Sequence, residues 1–520
     1  MHISSASSAL VCNVAARAIE CTTSAFSAPV IPGAEVLAFN AAHVSNFTLS
    51  TPALIPSLKF ETPEGGFAFC NVSITYTHPG QQDKINTQIW LPDTWNERFM
   101  GNGGGGWTAG YFDPSLAWAI SQGYSAGSTD GGHSASTPAS EWGLLSPGNV
   151  NLYSLQDLAS VSLNDMALLG KSLSSAYYGK SPDYAYWNGC SQGGRQGMMM
   201  AQRYPDVYQG ILAEAPAFNW NTFIPSAYWP QTIMNKLKVY PQACELKAFT
   251  AAAVQACDAL DGVMDGIISL PTLCRFDPFT LVGQNFSCDG SATTFSHEAA
   301  MIVNGTWTGP TTEDGESIWP GVTRDASLLA HSNTTCISNG TCTGLPFIVS
   351  ADWIQYFLKK NASFELTSLT PEQFPEIVDA SIDQFQSIIG TENPDLSRFR
   401  DAGGKLLTFH GLADQYIPYQ GTAWYHDRVE ERDAGVDKYF RHFEAPGVAH
   451  CFGGAGAYPS KALQSLVDWV ENGNPPNVLE AKATQARADG EMWERDLCLY
   501  PSISVYQGGD PSIADSYACV

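Results

Sequence analysis

The sequence predicts an α/β fold whose parallel sheet is interrupted, in its second half, by a long inserted domain. Two observations carry this. Short buried segments alternate with helix-like ones on both sides of a central stretch, as parallel strands joined by crossover helices do. Between about Phe218 and Arg400 the alternation stops. That stretch holds six of the thirteen cysteines and five of the seven N-x-S/T sites, with many Gly, Pro, Ser and Thr residues.

Along the chain, residues 1–18 read as a secretory leader. A short apolar stretch, ALVCNVAA, is followed by Ala16-Arg17-Ala18, an A-x-A cleavage site. Its removal would take Cys12 away and leave twelve cysteines, enough for six bridges. The sequons at Asn46, Asn71, Asn285, Asn304, Asn333, Asn339 and Asn361 agree with a secreted, disulfide-bonded glycoprotein.

The α/β pattern begins near Asn86. INTQIWLP and ERFMGNGGGG read as strands, the second running into a glycine loop at Gly103–Gly106. YAYW (184–187) is a short aromatic strand, RQGMMMAQRY a helix, and GILAEAP the next buried strand. After the interruption, KLLTFHG (405–411) and KYFRHFEAPG (438–447) read as strands. KALQSLVDWV is a helix with Leu463, Leu466, Val467 and Val470 on one face. The expected division is therefore an α/β domain in two parts, 19–217 and 401–520, with a lid or cap at 218–400.

Bulk properties narrow the partners. With 44% apolar and 12% aromatic residues, the 520-residue chain can build a sizeable core. A formal charge of −25 opposes binding to nucleic acid or anionic membrane. No apolar run reaches the roughly eighteen residues a membrane span needs.

The chemistry starts at Gly189-Cys190-Ser191-Gln192-Gly193, a G-x-S-x-G turn between a strand and a helix. Such a turn is strained, and Gly189 and Gly193 avoid clashes that a Cβ would cause. Ser191 is the expected nucleophile. The backbone N–H of Gln192 should face the developing oxyanion, with a second donor from the glycine loop, at Gly104 or Gly105. A serine needs a base and an orienting acid, which in α/β hydrolases follow in the order Asp, then His. Asp414 lies just past a strand in HGLADQYIP, and His450 lies in the loop APGVAHCFG between a strand and a helix. His410 and His442 fall within strands and read as packed residues; His133 and His426 stay undecided.

Cys190 precedes the serine and Cys451 follows the histidine. If His450 hydrogen-bonds Ser191, the two cysteines come within reach of a disulfide, whose Cα atoms stand about 4.4–6.8 Å apart. The bridge would clamp nucleophile to base and close a loop of roughly 260 residues, for which chain entropy gives about 5 kcal/mol as an upper figure. The alternative, that each cysteine pairs elsewhere or that Cys190 is a small buried filler, leaves their adjacency to both catalytic positions unexplained.

With Cys190-Ser191, Asp414 and His450-Cys451 in hand, the chain resembles the tannase/feruloyl esterase family over most of its mature length. GCSQGGRQG is similar to the family's nucleophile segment, and the family is known for cysteines that join nucleophile and histidine. The resemblance implies an α/β-hydrolase fold with a large lid inserted in the second half of the sheet. It also implies a secreted serine carboxylesterase for hydroxycinnamate (feruloyl, p-coumaroyl) esters, such as those on plant cell-wall polysaccharide. Two alternatives are a tannase cutting galloyl esters and, from another class, an esterase-like binding protein without catalysis.

One further motif gains from the resemblance. CDALDGVMDGII (257–268) carries Asp258, Asp261 and Asp265 on a glycine-bearing loop. Carboxylates alternating with carbonyls suit calcium, although spacing alone is met equally by a solvated acidic turn. The family implies a structural lid calcium, held by the side chains of Asp258, Asp261 and Asp265 and the carbonyls of Val263 and Ile267. It would stabilise an insertion expected to have little core of its own. Cys257 and Cys274 are expected to bracket the loop as a bridge. Cys21, Cys70, Cys498 and Cys519 are expected in bridges too, while the partners of Cys244, Cys288, Cys336 and Cys342 stay open.

Overall fold

Nine strands form one central sheet in the computed structural model, which describes residues 19–49, 60–288, 290–337, 341–486, 490 and 492–520. The expected leader with Cys12, and the Asn339 sequon, lie outside the described residues. The strands are β1 (Glu35–Phe47), β2 (Phe67–Thr77), β3 (Ile85–Pro92), β4 (Arg98–Asn102), β5 (Ser125–Thr129), β6 (Tyr184–Cys190), β7 (Gly210–Glu214), β8 (Lys405–Gly411) and β9 (Phe440–Ala445). Their order in space is β1-β2-β3-β5-β4-β6-β7-β8-β9. The β1–β2, β2–β3 and β3–β5 pairs are antiparallel. From β5 onward every pair is parallel. The molecule is a mixed α/β fold with a large central sheet.

Side chains of the parallel strands alternate between two apolar layers. In β7, Ile211 and Ala213 join the layer that holds Leu163, Met166 and Leu173 of the helix Ser162–Tyr178 and Met198 of the helix Gln192–Arg203. Leu212 joins the opposite layer, with Leu116 of the helix Asp113–Ser121 and Leu463, Leu466 and Trp469 of the helix Ala462–Asn472. Strands buried on both faces read as nearly continuous apolar runs, which is why GILAE and KLLTF stand out in the sequence.

The inserted segment leaves the sheet after β7 and returns at β8, two strands that are parallel neighbours. It contains the helices Trp220–Ser226, Trp229–Leu237, Ala243–Cys257, His297–Thr308 and Phe374–Ile389. The expectation of little core of its own is corrected. Leu246, Phe249, Ala253, Ala299, Val303 and Trp307 form a separate buried cluster, because the helices Ala243–Cys257 and His297–Thr308 each present an apolar stripe to the other. A second cluster joins the insertion to the sheet domain. There Trp220, Phe223, Trp353, Phe357 and Phe385 pack with Ala109, Trp142 and Leu155.

Six disulfides are formed: Cys21–Cys70, Cys190–Cys451, Cys244–Cys288, Cys257–Cys274, Cys336–Cys342 and Cys498–Cys519. The four cysteines left open by the sequence thus pair within the insertion. Among the described residues, no helix is long and apolar enough to cross a membrane.

Candidate active site

Ser191 stands at the turn between β6 and the helix Gln192–Arg203 with φ 64° and ψ −122°. A non-glycine residue held there costs about 1–3 kcal/mol, so the surroundings must enforce it. They do so through three hydrogen bonds. The Ser191 N–H donates to the Glu214 carbonyl at 3.0 Å, and the Ser191 carbonyl accepts from the N–H groups of Arg195 (2.9 Å) and Ala217 (3.1 Å). A Cβ on Gly189 would lie 2.6 Å from the Gly193 carbonyl carbon, and one on Gly193 would lie 2.9 Å from the Gly104 oxygen. Neither glycine can be replaced without moving backbone.

Asp414 follows β8 and is buried. Its Oδ1 accepts from the N–H groups of Tyr416 (2.8 Å) and Ile417 (2.9 Å). Its Oδ2 lies 2.7 Å from His450 Nδ1. A carboxylate only accepts, so Nδ1 carries the proton and Nε2 is left with its lone pair. Burial pushes the Asp414 carboxyl up, yet the electrostatic pull of the His450 imidazole and hydrogen bonds from His410 and His450 outweigh it and hold the group well below the usual carboxylate range. The His450 N–H donates to Gln415 Oε1 at 3.1 Å, fixing the backbone of its loop.

Sequence reasoning missed one partner. His410 is packed within β8, as expected, but its Nε2 also lies 3.1 Å from Asp414 Oδ2 and 3.1 Å from the Ile417 carbonyl. Both neighbours are acceptors, so Nε2 carries the proton. Nδ1 then accepts from the Thr422 hydroxyl at 2.7 Å. The same Asp414 oxygen therefore holds two imidazoles. The i, i+4 spacing in HGLAD was the only signal, and a strand followed by a loop gives that spacing no fixed geometry.

The disulfide between Cys190 and Cys451 spans a Cα–Cα distance of 5.8 Å. Cys451, like Ser191, has a positive φ, of 65°. Both ends of the bridge thus adjoin a conformation that an unconstrained residue would leave.

Ser191, Gln192, His450 and both cysteines line one cavity of about 270 Å³, together with Gly103–Gly106 and Trp220. Of the five lid tryptophans, Trp220, Trp229, Trp307, Trp319 and Trp353, only Trp220 lines it. Glu214 lines it too, and burial pushes its carboxyl up to about 7. The two oxyanion candidates of the glycine loop differ. Gly104 N–H donates to Gln196 Oε1 at 3.1 Å, and Gly104 O accepts from Gly193 N–H at 2.9 Å. Both its backbone groups are committed, which counts against Gly104. Gly105 N–H has no such partner among the described residues, so Gln192 and Gly105 are the available donors.

Beneath the turn lies Arg195, fully buried. Its Nε donates to Gln192 Oε1 at 2.6 Å, and its terminal nitrogens reach the Ala159 carbonyl (3.2 Å) and the Leu158 carbonyl (3.3 Å). Burial lowers its pKa to about 9, which still leaves it charged at neutral pH.

The acidic lid loop is folded around its own carboxylates. Asp258 Oδ1 accepts from the N–H groups of Asp265 (3.0 Å) and Gly266 (3.1 Å), and Asp261 Oδ1 from Val263 N–H at 3.1 Å. Asp265 Oδ1 accepts from Ile267 N–H at 3.2 Å. Among the described residues, Arg495 pairs with Asp261, 3.3 Å from its Oδ2. An all-oxygen donor set of this kind fits a hard cation. Cys257–Cys274 closes the segment as expected.

A parallel sheet with a serine on a strained strand-to-helix turn, and the His–Asp pair on the loops after β9 and β8, defines an α/β-hydrolase. Comparison with known proteins refines the class. The family model described as "Tannase and feruloyl esterase" matches residues 70–520. A probable feruloyl esterase of Arthroderma benhamiae is 42% identical over 503 residues, covering 94% of this chain and 92% of that protein. A tannase of Aspergillus oryzae is 28% identical, covering 87% and 85%. The crystal structure of a tannin acyl hydrolase from Aspergillus niger superposes with a TM-score of 0.85 at 27% identity, covering 96% and 95%. This chain belongs to the tannase and feruloyl esterase family and is a carboxylic ester hydrolase.

Proposed function

We propose that the protein is a secreted feruloyl esterase that hydrolyses hydroxycinnamate esters, feruloyl and p-coumaroyl, by a Ser191–His450–Asp414 triad. The observation that carries the chemistry is the shared cavity. The strained Ser191, His450 with its ring aligned by Asp414, Gln192 and Gly105 all line one cavity. The 42% identity to a probable feruloyl esterase favours a hydroxycinnamoyl group over a galloyl one.

His450 Nε2 takes the proton from the Ser191 hydroxyl as its oxygen attacks the ester carbonyl. The N–H groups of Gln192 and Gly105 stabilise the oxyanion. His450 then gives the proton to the leaving alcohol. Water, activated by the same imidazole, hydrolyses the acyl-enzyme and returns the free acid. Asp414 stays ionised throughout and holds His450 in the Nδ1–H tautomer. His410 and the Tyr416 and Ile417 amides hold Asp414. In the lid, Asp258, Asp261 and Asp265 with the carbonyls of Val263 and Ile267 would hold a structural calcium, remote in sequence from the reacting groups. Six disulfides and a fungal relative support export from the cell.

Hydrolysis of methyl ferulate, methyl p-coumarate, methyl caffeate and methyl gallate, measured side by side, tests the substrate. Preference for methyl gallate would make the enzyme a tannase instead. Ser191→Ala should remove turnover by several orders of magnitude while leaving a folded protein. Appreciable residual turnover in a pure sample would place the nucleophile elsewhere.

A further inference from the structure

Away from the cavity, one histidine and three aspartates meet at the corner formed by the end of β2, the β2–β3 turn, the helical turn Asp157–Val161 and the start of the helix Ser162–Tyr178 that follows it. His78 Nδ1 lies 2.6 Å from Asp83 Oδ2 and 4.0 Å from Asp157 Oδ1, and His78 Nε2 lies 3.2 Å from Asp165 Oδ2. The four side chains are all at least nine-tenths buried. Among the described residues, no lysine or arginine pairs with any of the three carboxylates. Asp157 is the anomaly. It is 1% exposed, and among the described residues neither of its oxygens accepts a hydrogen bond. A buried carboxylate without donors is costly unless something positive meets it.

The surroundings leave a defined set of lone pairs open. Asp83 Oδ1 is held by the Thr77 hydroxyl and the His78 N–H, each at 2.8 Å, so its Oδ2 faces the imidazole. On the far side of the ring, Asp165 Oδ2 accepts from Nε2 and from the Tyr76 hydroxyl at 3.2 Å. A carboxylate behind an imidazole fixes the tautomer and turns the other nitrogen toward a metal. With the proton on Nε2, Nδ1 and Asp83 Oδ2 would confront each other lone pair to lone pair. A proton between them would relieve that pair and bring a positive charge to 4.0 Å from Asp157 Oδ1, but would give neither Asp157 oxygen a hydrogen-bond donor.

We propose that His78, Asp83 and Asp157 bind one divalent first-row cation, Zn²⁺ or Mn²⁺, with Asp165 and Tyr76 orienting His78. Their ligand atoms all lie within 4.8 Å of one another. The imidazole sets the class of metal, since calcium takes oxygen ligands whereas Zn²⁺ and Mn²⁺ accept mixed nitrogen and carboxylate donors. The β2–β3 turn that carries Asp83 is exposed at Gly80 and Gln82. Asp157 also opens the segment whose Leu158 and Ala159 carbonyls hold Arg195, so the cation would anchor the support beneath the Ser191 turn.

The test uses whole enzyme stripped with chelator, titrated calorimetrically with ZnCl₂ or MnCl₂ alone. The wild type should show one site with a Kd of about 10 μM or tighter. Asp157→Asn should abolish it, and Asp165→Asn should weaken it by about 10–100-fold. Asp258→Asn, in the lid loop, should leave it unchanged. Pulsed EPR of the Mn²⁺-loaded wild type should show coupling to one imidazole nitrogen, a readout that holds even if a variant fails to fold. Absence of binding by either metal, full affinity in Asp157→Asn, or no nitrogen coupling would each overturn the site and leave a cluster neutralised by protons alone.

Discussion

Asp414 Oδ2 serves His450 and His410 at once, so the two histidines can be separated by substitution. Asp414→Asn removes the acceptor and inverts the tautomer preference of His450, and kcat should fall by about 10⁴. His410→Gln keeps a donor in β8 and should lower kcat far less, with KM unchanged, because His410 acts only through Asp414. Equal losses from the two variants would mean that His410 touches the reacting groups. Glu214 makes a prediction about pH. Burial raises its pKa from 4.5 to about 7, so between those values the folded state binds more protons than the unfolded one, and stability falls as pH rises. The lost stability is at most about 3 kcal/mol, at about 1.4 kcal/mol per pK unit. Glu214→Gln should therefore melt above the wild type at pH 8 and close to it near pH 4.5. Parallel melting curves across that range would refute the assignment. These residue-level details were not legible beforehand. The positions of Ser191, Asp414 and His450 were, because each sits just past the end of a strand, and strand ends can be read from apolar runs. Which glycine keeps a free N–H was not, because that depends on where the Gln196 side chain reaches.

Among the elements, the strands buried on both faces were the readable ones. β7 is an apolar run and β8 nearly so, each buried almost throughout, and β6 opens on an apolar aromatic run. From Cys70 on, β2 alternates between buried and half-buried positions, yet it and β1 fall before Asn86, where the α/β pattern was expected to begin. β1 is an edge strand exposed along most of its length, and its sequence, with Asn, His, Ser and Ala between the apolar residues, carries no two-residue period. The insertion was harder still. The helices Ala243–Cys257 and His297–Thr308 bury their stripes against each other, so the loss of the strand–helix alternation and the crowding of cysteines and sequons announced it. Its acidic loop gives the prediction proper to this scale. Prolonged chelation should lower the melting temperature, since a ligand at a hundred times its Kd contributes about 2.7 kcal/mol to the native state. Triad chemistry should persist wherever the lid stays folded. An unchanged melting temperature in a verified metal-free sample would exclude a structural calcium there.

For the molecule as a whole, the Cys190–Cys451 bridge joins two parts of the sheet domain that the insertion keeps 261 residues apart in the chain. Replacing both cysteines by alanine should cost activity beyond the loss of stability, up to about a hundredfold for a misplacement near 1 Å. If the double variant kept full kcat, packing alone would hold Ser191 and His450 in register. The bridge also changes what a cut does. Everything between Cys190 and Cys451, the whole insertion included, forms a covalent ring. A protease that nicks an exposed turn of the insertion severs the ring once and cannot divide the protein, because the Cys190–Cys451 bridge still joins the two pieces. The nicked enzyme should migrate as one species without reductant and as two with it, and both catalytic groups should remain within reach of each other. In a chain closed this way, the most exposed part could then be cut before Ser191 and His450 parted company.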